Sequence, residues 1–232
     1  MNSSESQTWA PVSGSTDLAA ASARAVWLAD QDIAIWRTKS GVASAWRNLC
    51  PHRGMRLSFG QVRGEKLVCR YHGWAFEASG QCQGIPASPE MKPPPTACAE
   101  TYACREALGL IWLNTTDDNA DALSALAADN EIAKSPLFCK SIYVEGTKDD
   151  IVERLPADLG ASEIAPGLIS LSASSQGENV LLGVQVCSPS RLGLHIVAKS
   201  AADQDKDNKR RLQIGKWAQN LRWQLANPEA MK

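Results

Sequence analysis

Short apolar runs punctuated by turn formers fill the first half of the chain. Val26-Trp27-Leu28, Ile33-Ala34-Ile35-Trp36 and Val42 to Trp46 are separated by Asp30-Gln31-Asp32 and Lys39-Ser40-Gly41. That spacing predicts antiparallel strands in a meander. Tyr102 to Arg105 and Leu108 to Leu113 predict a further strand pair turning near Ala107. Pro93-Pro94-Pro95 predicts an extended connector that cannot be helical. Residues 1–18 are polar and Ser-rich and predict a flexible tail, which leaves 19–116 as the first domain.

The pattern changes after the polar, acidic stretch Asn114 to Asp121. Lys148 to Leu155 predicts a short helix stopped by Pro156, and Leu168 to Ala173, Val180 to Val186 and Leu192 to Ala198 predict three strands. Ile214, Trp217, Ala218, Leu221 and Leu225 share one helical face, so an amphipathic helix is expected to end before Pro228. The expected fold class is therefore α+β: an antiparallel all-β domain followed by a small α+β domain, residues 117–232, with a C-terminal helix.

Composition narrows the function classes. A net charge of −1 over 232 residues gives no reason to expect nucleic acid as a partner. No apolar run approaches the roughly 20 residues that span a bilayer, so no membrane partner is expected. Met1 to Ser15 lacks a basic start followed by an apolar core and does not read as a secretory signal. A cytoplasmic location is the expectation. Seven cysteines make an odd set for a disulfide scaffold, which moves the question to their spacing.

Two segments carry the chemistry. Cys50-Pro51-His52 and Cys69-Arg70-Tyr71-His72 are separated by sixteen residues between His52 and Cys69, and each supplies one thiolate and one imidazole. Two such loops at the tip of a β-domain offer the ligand division of a Rieske centre, with two Cys on one iron and two His on the other. A structural zinc takes the same atoms, although zinc fingers pair Cys with Cys and His with His along the chain. Gly54 and Gly73 closely follow the two His and allow a tight backbone turn near an inorganic sulfide.

Cys50-Pro-His-Arg-Gly, Cys69-Arg-Tyr-His-Gly-Trp and Gly80-Gln-Cys-Gln-Gly-Ile-Pro-Ala together resemble the Rieske domain of the Rieske non-haem iron oxygenases. These are the large subunits of ring-hydroxylating dioxygenases and vanillate demethylase-like monooxygenases. The resemblance covers roughly Val26 to Asn114. It implies a [2Fe–2S] cluster as cofactor on Cys50, His52, Cys69 and His72. A weaker similarity over Val180 to Ile196 and the last helix implies a reduced form of the oxygenase catalytic (helix-grip) domain. Neither loop has the second Cys of the high-potential Rieske proteins, and Trp74 and Phe76 stand where hydroxyl donors are expected. The resemblance thus implies a potential in the lower part of the Rieske range, roughly −150 to 0 mV. Trp74, beside His72 in sequence, is expected to shield the cluster from water.

The family also uses a mononuclear iron on two His and one carboxylate. This chain has three His, and only His195 remains after the cluster. It is expected to be a half-buried strand residue with a satisfied hydrogen bond. Lys148 to Gly160, the region matching the family's His-bearing helix, offers Asp149, Asp150, Glu153 and Asp158 but no His. No mononuclear iron and no catalytic residue are therefore expected in this chain.

Arg47, Arg53, Arg56, Arg63, Lys66 and Arg70 stand against Glu65 alone between positions 47 and 70, a local balance of +5. A basic rim can steer an acidic electron donor; the same residues can equally serve only to solvate exposed loops. Three functions follow. One is a one-electron carrier between a reductase or ferredoxin and a non-haem iron centre. The second is an oxygenase subunit oxidising an aromatic substrate with iron supplied by another subunit. The third is a non-catalytic redox sensor. Trimers occur in the family, so a homo-oligomer is an expectation by analogy.

Overall fold

The computed structural model describes residues 9–115, 121–128, 130–172 and 179–227. Strands β1 (Ala10–Gly14), β2 (Ser22–Leu28), β3 (Gln31–Arg37) and β4 (Ala43–Arg47) open the chain. β5 (Gln61–Arg63), β6 (Lys66–Val68), β7 (Ala75–Phe76) and β8 (Cys82–Gly84) form a small antiparallel sheet of their own in that order. β9 (Thr101–Ala107) and β10 (Leu110–Asn114) return to the first sheet, whose order is β1-β10-β9-β4-β3-β2. The second half contains α1 (Asp121–Ala128), α2 (Glu131–Lys134), β11 (Pro136–Glu145), α3 (Ile151–Arg154), β12 (Ala161–Ala165), β13 (Leu168–Leu171), β14 (Val180–Ser188), β15 (Arg191–Lys199) and α4 (Gln204–Ala226). Its sheet runs β11-β15-β14-β13-β12, and α4 packs on it. The fold is α+β, as the periodicity predicts.

Two hairpin turns depend on residues in the left-handed region. Ala29 and Asp30 (φ 48° and 63°) join β2 to β3, with Leu28 opposite Gln31. Leu108 and Gly109 (φ 56° and 73°) join β9 to β10, with Ala107 opposite Leu110. Such two-residue turns match the right-handed twist of the strands they join. The second turn falls on Leu108, which the sequence pattern assigned to a strand.

The tail expectation is corrected at its C-terminal end. Ala10–Gly14 pairs with β10, and Trp9, Val12 and Leu18 are buried. Pro11 hides this strand from a pattern reading. The strand tolerates it because it lies at the sheet edge, beside a register shift between Pro11 and Ser13. Residues 1–8 lie outside the described set, as do Ala173, Pro228 and most of the expected domain boundary. The predicted helix over Lys148 to Leu155 is one turn, Ile151–Arg154.

The cores explain the placement of the loops. Trp36, Trp46, Leu57, Leu67, Phe76 and Ile85 form one apolar cluster that also contains Cys50 and Cys69. It joins the six-stranded sheet to the small sheet and supports the loops that carry Cys50, His52, Cys69 and His72 from below. Ile214, Ala218, Leu221 and Leu225 of α4 lie in a second cluster with Ile142, Val144, Leu182, Leu194 and Ile196. A third cluster crosses between the halves of the chain, joining Leu108, Leu110 and Trp112 to Phe138, Leu168, Leu181 and Val197. The two halves therefore share buried apolar surface rather than meeting only through a linker.

Candidate cluster site

The loops at 50–55 and 69–74 have one backbone design. Cys50 N–H donates to Met55 O (2.8 Å) and Gly54 N–H to Cys50 O (2.9 Å); Cys69 N–H donates to Trp74 O (2.8 Å) and Gly73 N–H to Cys69 O (3.0 Å). Each loop starts at a Cys and turns through a Gly four residues later, at φ 70° for Gly54 and 72° for Gly73. Only glycine holds that region without a Cβ penalty. The imidazole sits two residues after the Cys in the first loop and three in the second.

The folded chain brings the four side chains together as two pairs. Cys50 and Cys69 are buried, and their thiols lie alongside each other. Burial, with Cys69 alongside, pushes the Cys50 thiol up to about 11. A thiol so buried resists ionisation unless a cation is supplied. The His52 and His72 rings lie 4.7 Å apart between centroids at 64°. His72 is exposed and His52 half-buried.

Among the described residues no three His, Cys, Asp or Glu side chains gather at one point. A tetrahedral zinc needs all four donors around one ion, whereas a binuclear cluster divides them two and two. The paired arrangement favours the cluster. His52 Nδ1 is buried with no hydrogen-bond partner. A buried, unpaired imidazole nitrogen is costly unless it is a ligand atom.

The surroundings specify which ring Trp74 covers. Trp74 lies flat on the His52 ring, 4.4 Å between centroids with 6° between planes, and not on its sequence neighbour His72. Tyr71 stacks on His72 instead, at 3.8 Å and 30°. The first loop is held at both ends by Asn48, which is buried. Its Oδ1 accepts from Ser58 N–H (2.8 Å), and its Nδ2 donates to Ser58 Oγ (2.9 Å) and Asp32 Oδ1 (2.8 Å). Arg56 donates to the same Asp32 oxygen at 2.8 Å. Asn48 and Asp32 escaped the sequence reading of the site because Asp32 falls among the turn formers of Asp30-Gln31-Asp32 and Asn48 has neither a metal-ligand side chain nor ligand spacing.

The basic rim is reduced by these contacts. Arg56 is spent on Asp32, and Arg47 pairs with Glu100 at 3.3 Å. Arg53 and Arg70, within the two loops themselves, stay exposed. Leu49, Phe59 and Tyr71 add exposed apolar surface there.

His195 is fully buried rather than half-buried, and makes two hydrogen bonds rather than one, to Ser141 Oγ (2.8 Å) and Gln185 Oε1 (2.9 Å). Asp150 accepts from Thr147 N–H at 3.1 Å and leads into α3. All seven cysteines are free thiols, Cys82 is buried packing, and Cys98 is exposed.

A family model described as the Rieske [2Fe–2S] domain matches residues 8–101. Oxidoreductase NdmD of Pseudomonas putida is 33% identical over 162 residues, which is 69% of this chain and 28% of that protein. The oxygenase subunit of 3-chlorobenzoate-3,4-dioxygenase of Comamonas testosteroni is 34% identical over 107 residues, 45% of this chain and 25% of that protein. The chain thus spans under a third of the length of these relatives. The solved structure of apo dicamba monooxygenase superposes with a TM-score of 0.69 at 16% identity, covering 91% of this chain and 82% of that one. At that identity the likeness is one of fold, and it extends over both halves of the chain.

Proposed function

Because residues 8–101 belong to the Rieske [2Fe–2S] domain family, we propose that this chain is a one-electron carrier within an oxygenase system, accepting electrons from a reductase or ferredoxin and passing them to a non-haem iron centre. In this reading Cys50 and Cys69 hold one iron, and His52 and His72 hold the other. The bound cluster supplies a store for one electron at a time. The chain's residues do the rest. The apolar cluster around Cys50 and Cys69 excludes water from the thiolate side. His72 reaches the surface and offers an edge through which a docked partner exchanges the electron. Trp74 and Tyr71 cover the imidazole faces and fix the ring planes.

The observation that carries this reading is the two-and-two arrangement of buried thiols and outer imidazoles on matched loops. The carrier role, rather than catalysis by this chain alone, is supported by His195. It is locked between Ser141 and Gln185 within the second sheet and has no nitrogen left for a metal. Iron and acid-labile sulfide analysis with EPR of the reduced protein tests the proposal. Two irons and two sulfides per chain are expected. Stoichiometric zinc would overturn the cluster, and a third iron with substrate-dependent oxygen uptake would replace the carrier by an oxygenase subunit. No helix among the described residues is long and apolar enough to cross a membrane.

A further inference from the structure

A line of hydrogen bonds leads from the sheet of the second half to the first ligand loop. Ser141 on β11, His195 on β15 and Gln185 on β14 are joined side chain to side chain. Gln185 Nε2 then leaves that sheet and donates to the Trp27 carbonyl on β2 at 2.6 Å. This last bond orients the rest. A carbonyl accepts only, so the Gln185 nitrogen faces Trp27 and its Oε1 faces His195. His195 Nε2 must then carry the proton, Nδ1 is the acceptor, and the Ser141 hydroxyl donates. Each group has one assignment, and Gln185 and His195 are almost wholly buried.

The β2–β3 hairpin carries the line onward. Its turn is docked by two further bonds to β14, from Ala29 N–H to Val186 O (2.8 Å) and from Asp30 N–H to Cys187 O (3.0 Å). Trp27 is the direct cross-strand partner of Asp32. They form the second pair from a two-residue turn, a non-hydrogen-bonded pair, so both carbonyls point away from the hairpin in opposite directions. The Trp27 carbonyl meets Gln185. The Asp32 carbonyl accepts from Asn48 N–H at 3.0 Å, and the Asp32 carboxylate holds Asn48 and Arg56. Asn48 clasps Ser58, closing the base of the loop that carries Cys50 and His52.

We propose that Gln185 and His195 are positioning residues for the first ligand loop, acting through the β2–β3 hairpin and Asp32, so that the seating of the second half on the first sets the placement of Cys50 and His52. The inference rests on the cluster reading for its redox consequence only; the mechanical link is a property of the chain itself. A shift at the seam reaches the loop without passing through the ligands' own backbone.

Amide hydrogen exchange of the whole chain tests the link without any cluster. Gln185→Leu removes the donor to Trp27. Exchange at Asn48 and Ser58 should then quicken about tenfold, the factor expected for losing one hydrogen bond. Leu182 and Ile196, inside the second sheet, should keep their wild-type rates. Ser141→Ala is a milder second variant should Gln185→Leu fold poorly, and Ser141→Thr should restore the wild-type rates because it keeps the hydroxyl. In cluster-loaded protein, Gln185→Leu and Asp32→Asn should each shift the midpoint potential, and the double variant should shift it by less than the sum, since both cut one line. Unchanged exchange at Asn48 and Ser58 overturns the inference, as does acceleration spread evenly over both sheets. A wild-type chain without iron and sulfide overturns the cluster reading instead, and leaves the exchange result to decide this one.

Discussion

The Trp74 indole lies parallel to the His52 imidazole at 4.4 Å, although the two residues belong to different loops. One loop therefore covers the imidazole ring of the other. Trp74 also contacts Phe76 at 6.4 Å, and Phe76 contacts the buried Trp46 at 6.2 Å. The cover is thus anchored in the core rather than resting on the surface.

Removing that cover should raise the midpoint potential. The reduced cluster carries one more negative charge, and water stabilises it more than an indole face does. The wild-type protein should titrate in the lower part of the Rieske range, roughly −150 to 0 mV. Trp74→Ala should lie above wild type and Trp74→Phe close to it. EPR-monitored redox titration of the three proteins decides this, and an Ala variant at or below the wild-type potential would contradict it.

The two loop glycines should differ in cost. A Cβ on Gly54 would meet nothing nearer than Leu49 Cδ1 at 3.5 Å, whereas one on Gly73 would lie 2.9 Å from Pro86 Cγ. Both positions carry the left-handed penalty of about 1–2 kcal/mol. Gly73→Ala adds a clash against a ring with little freedom, typically another ~1–3 kcal/mol. Denaturant unfolding should rank Gly73→Ala below Gly54→Ala, and Gly73→Ala should lose iron faster on dilution.

How much of this was legible beforehand depended on distance along the chain. The proposed ligands Cys50, His52, Cys69 and His72 and their glycines are readable because local spacing carries their chemistry. The α4 face is readable because helical period selects Ile214, Trp217, Ala218, Leu221 and Leu225; four of them are buried and Trp217 is half-buried against the same cluster. Trp74 is expected from its place near His72 to act as a shield, but the ring it stacks on is not legible in the sequence, because the fold turns its indole onto His52 of the opposite loop. The Gln185 bond to Trp27 spans 158 positions. No local pattern marks either residue as a partner, and His195 could only be read as a strand residue with some polar neighbour.

Charge on the rim should govern reduction kinetics through Arg53 and Arg70. Arg56 is unsuitable for this test, since reversing it would break the Asp32 contact and disturb the loop. With an acidic ferredoxin as donor, Arg53→Glu combined with Arg70→Glu should slow second-order reduction about tenfold at low salt, within the range of electrostatic steering. The gap should close near 0.5 M salt, where about 4 Å of screening length remains. Stopped-flow traces with equal rates for both proteins at low salt would assign these arginines to solvation alone.

His195 should leave its mark on the pH dependence of stability. Burial brings its pKa down to about 3, against an ordinary 6.5, so the fold holds it neutral. Between those values the unfolded chain binds a proton that the folded chain does not. Stability therefore rises with pH in this window, and the contribution present above 6.5 is lost as pH falls towards 3. The slope reaches at most about 1.4 kcal/mol per pH unit for one group. His195→Gln has no proton to gain, so its unfolding free energy should fall less steeply from pH 6.5 to 4 than that of wild type. Subtracting the two denaturant-derived profiles cancels the carboxylates common to both. The difference should be flat above pH 7 and slope by up to about one proton below 6. A flat difference throughout would mean that His195 reaches solvent and charges within the folded protein, and with it would go the fixed tautomer that orients Gln185 towards Trp27.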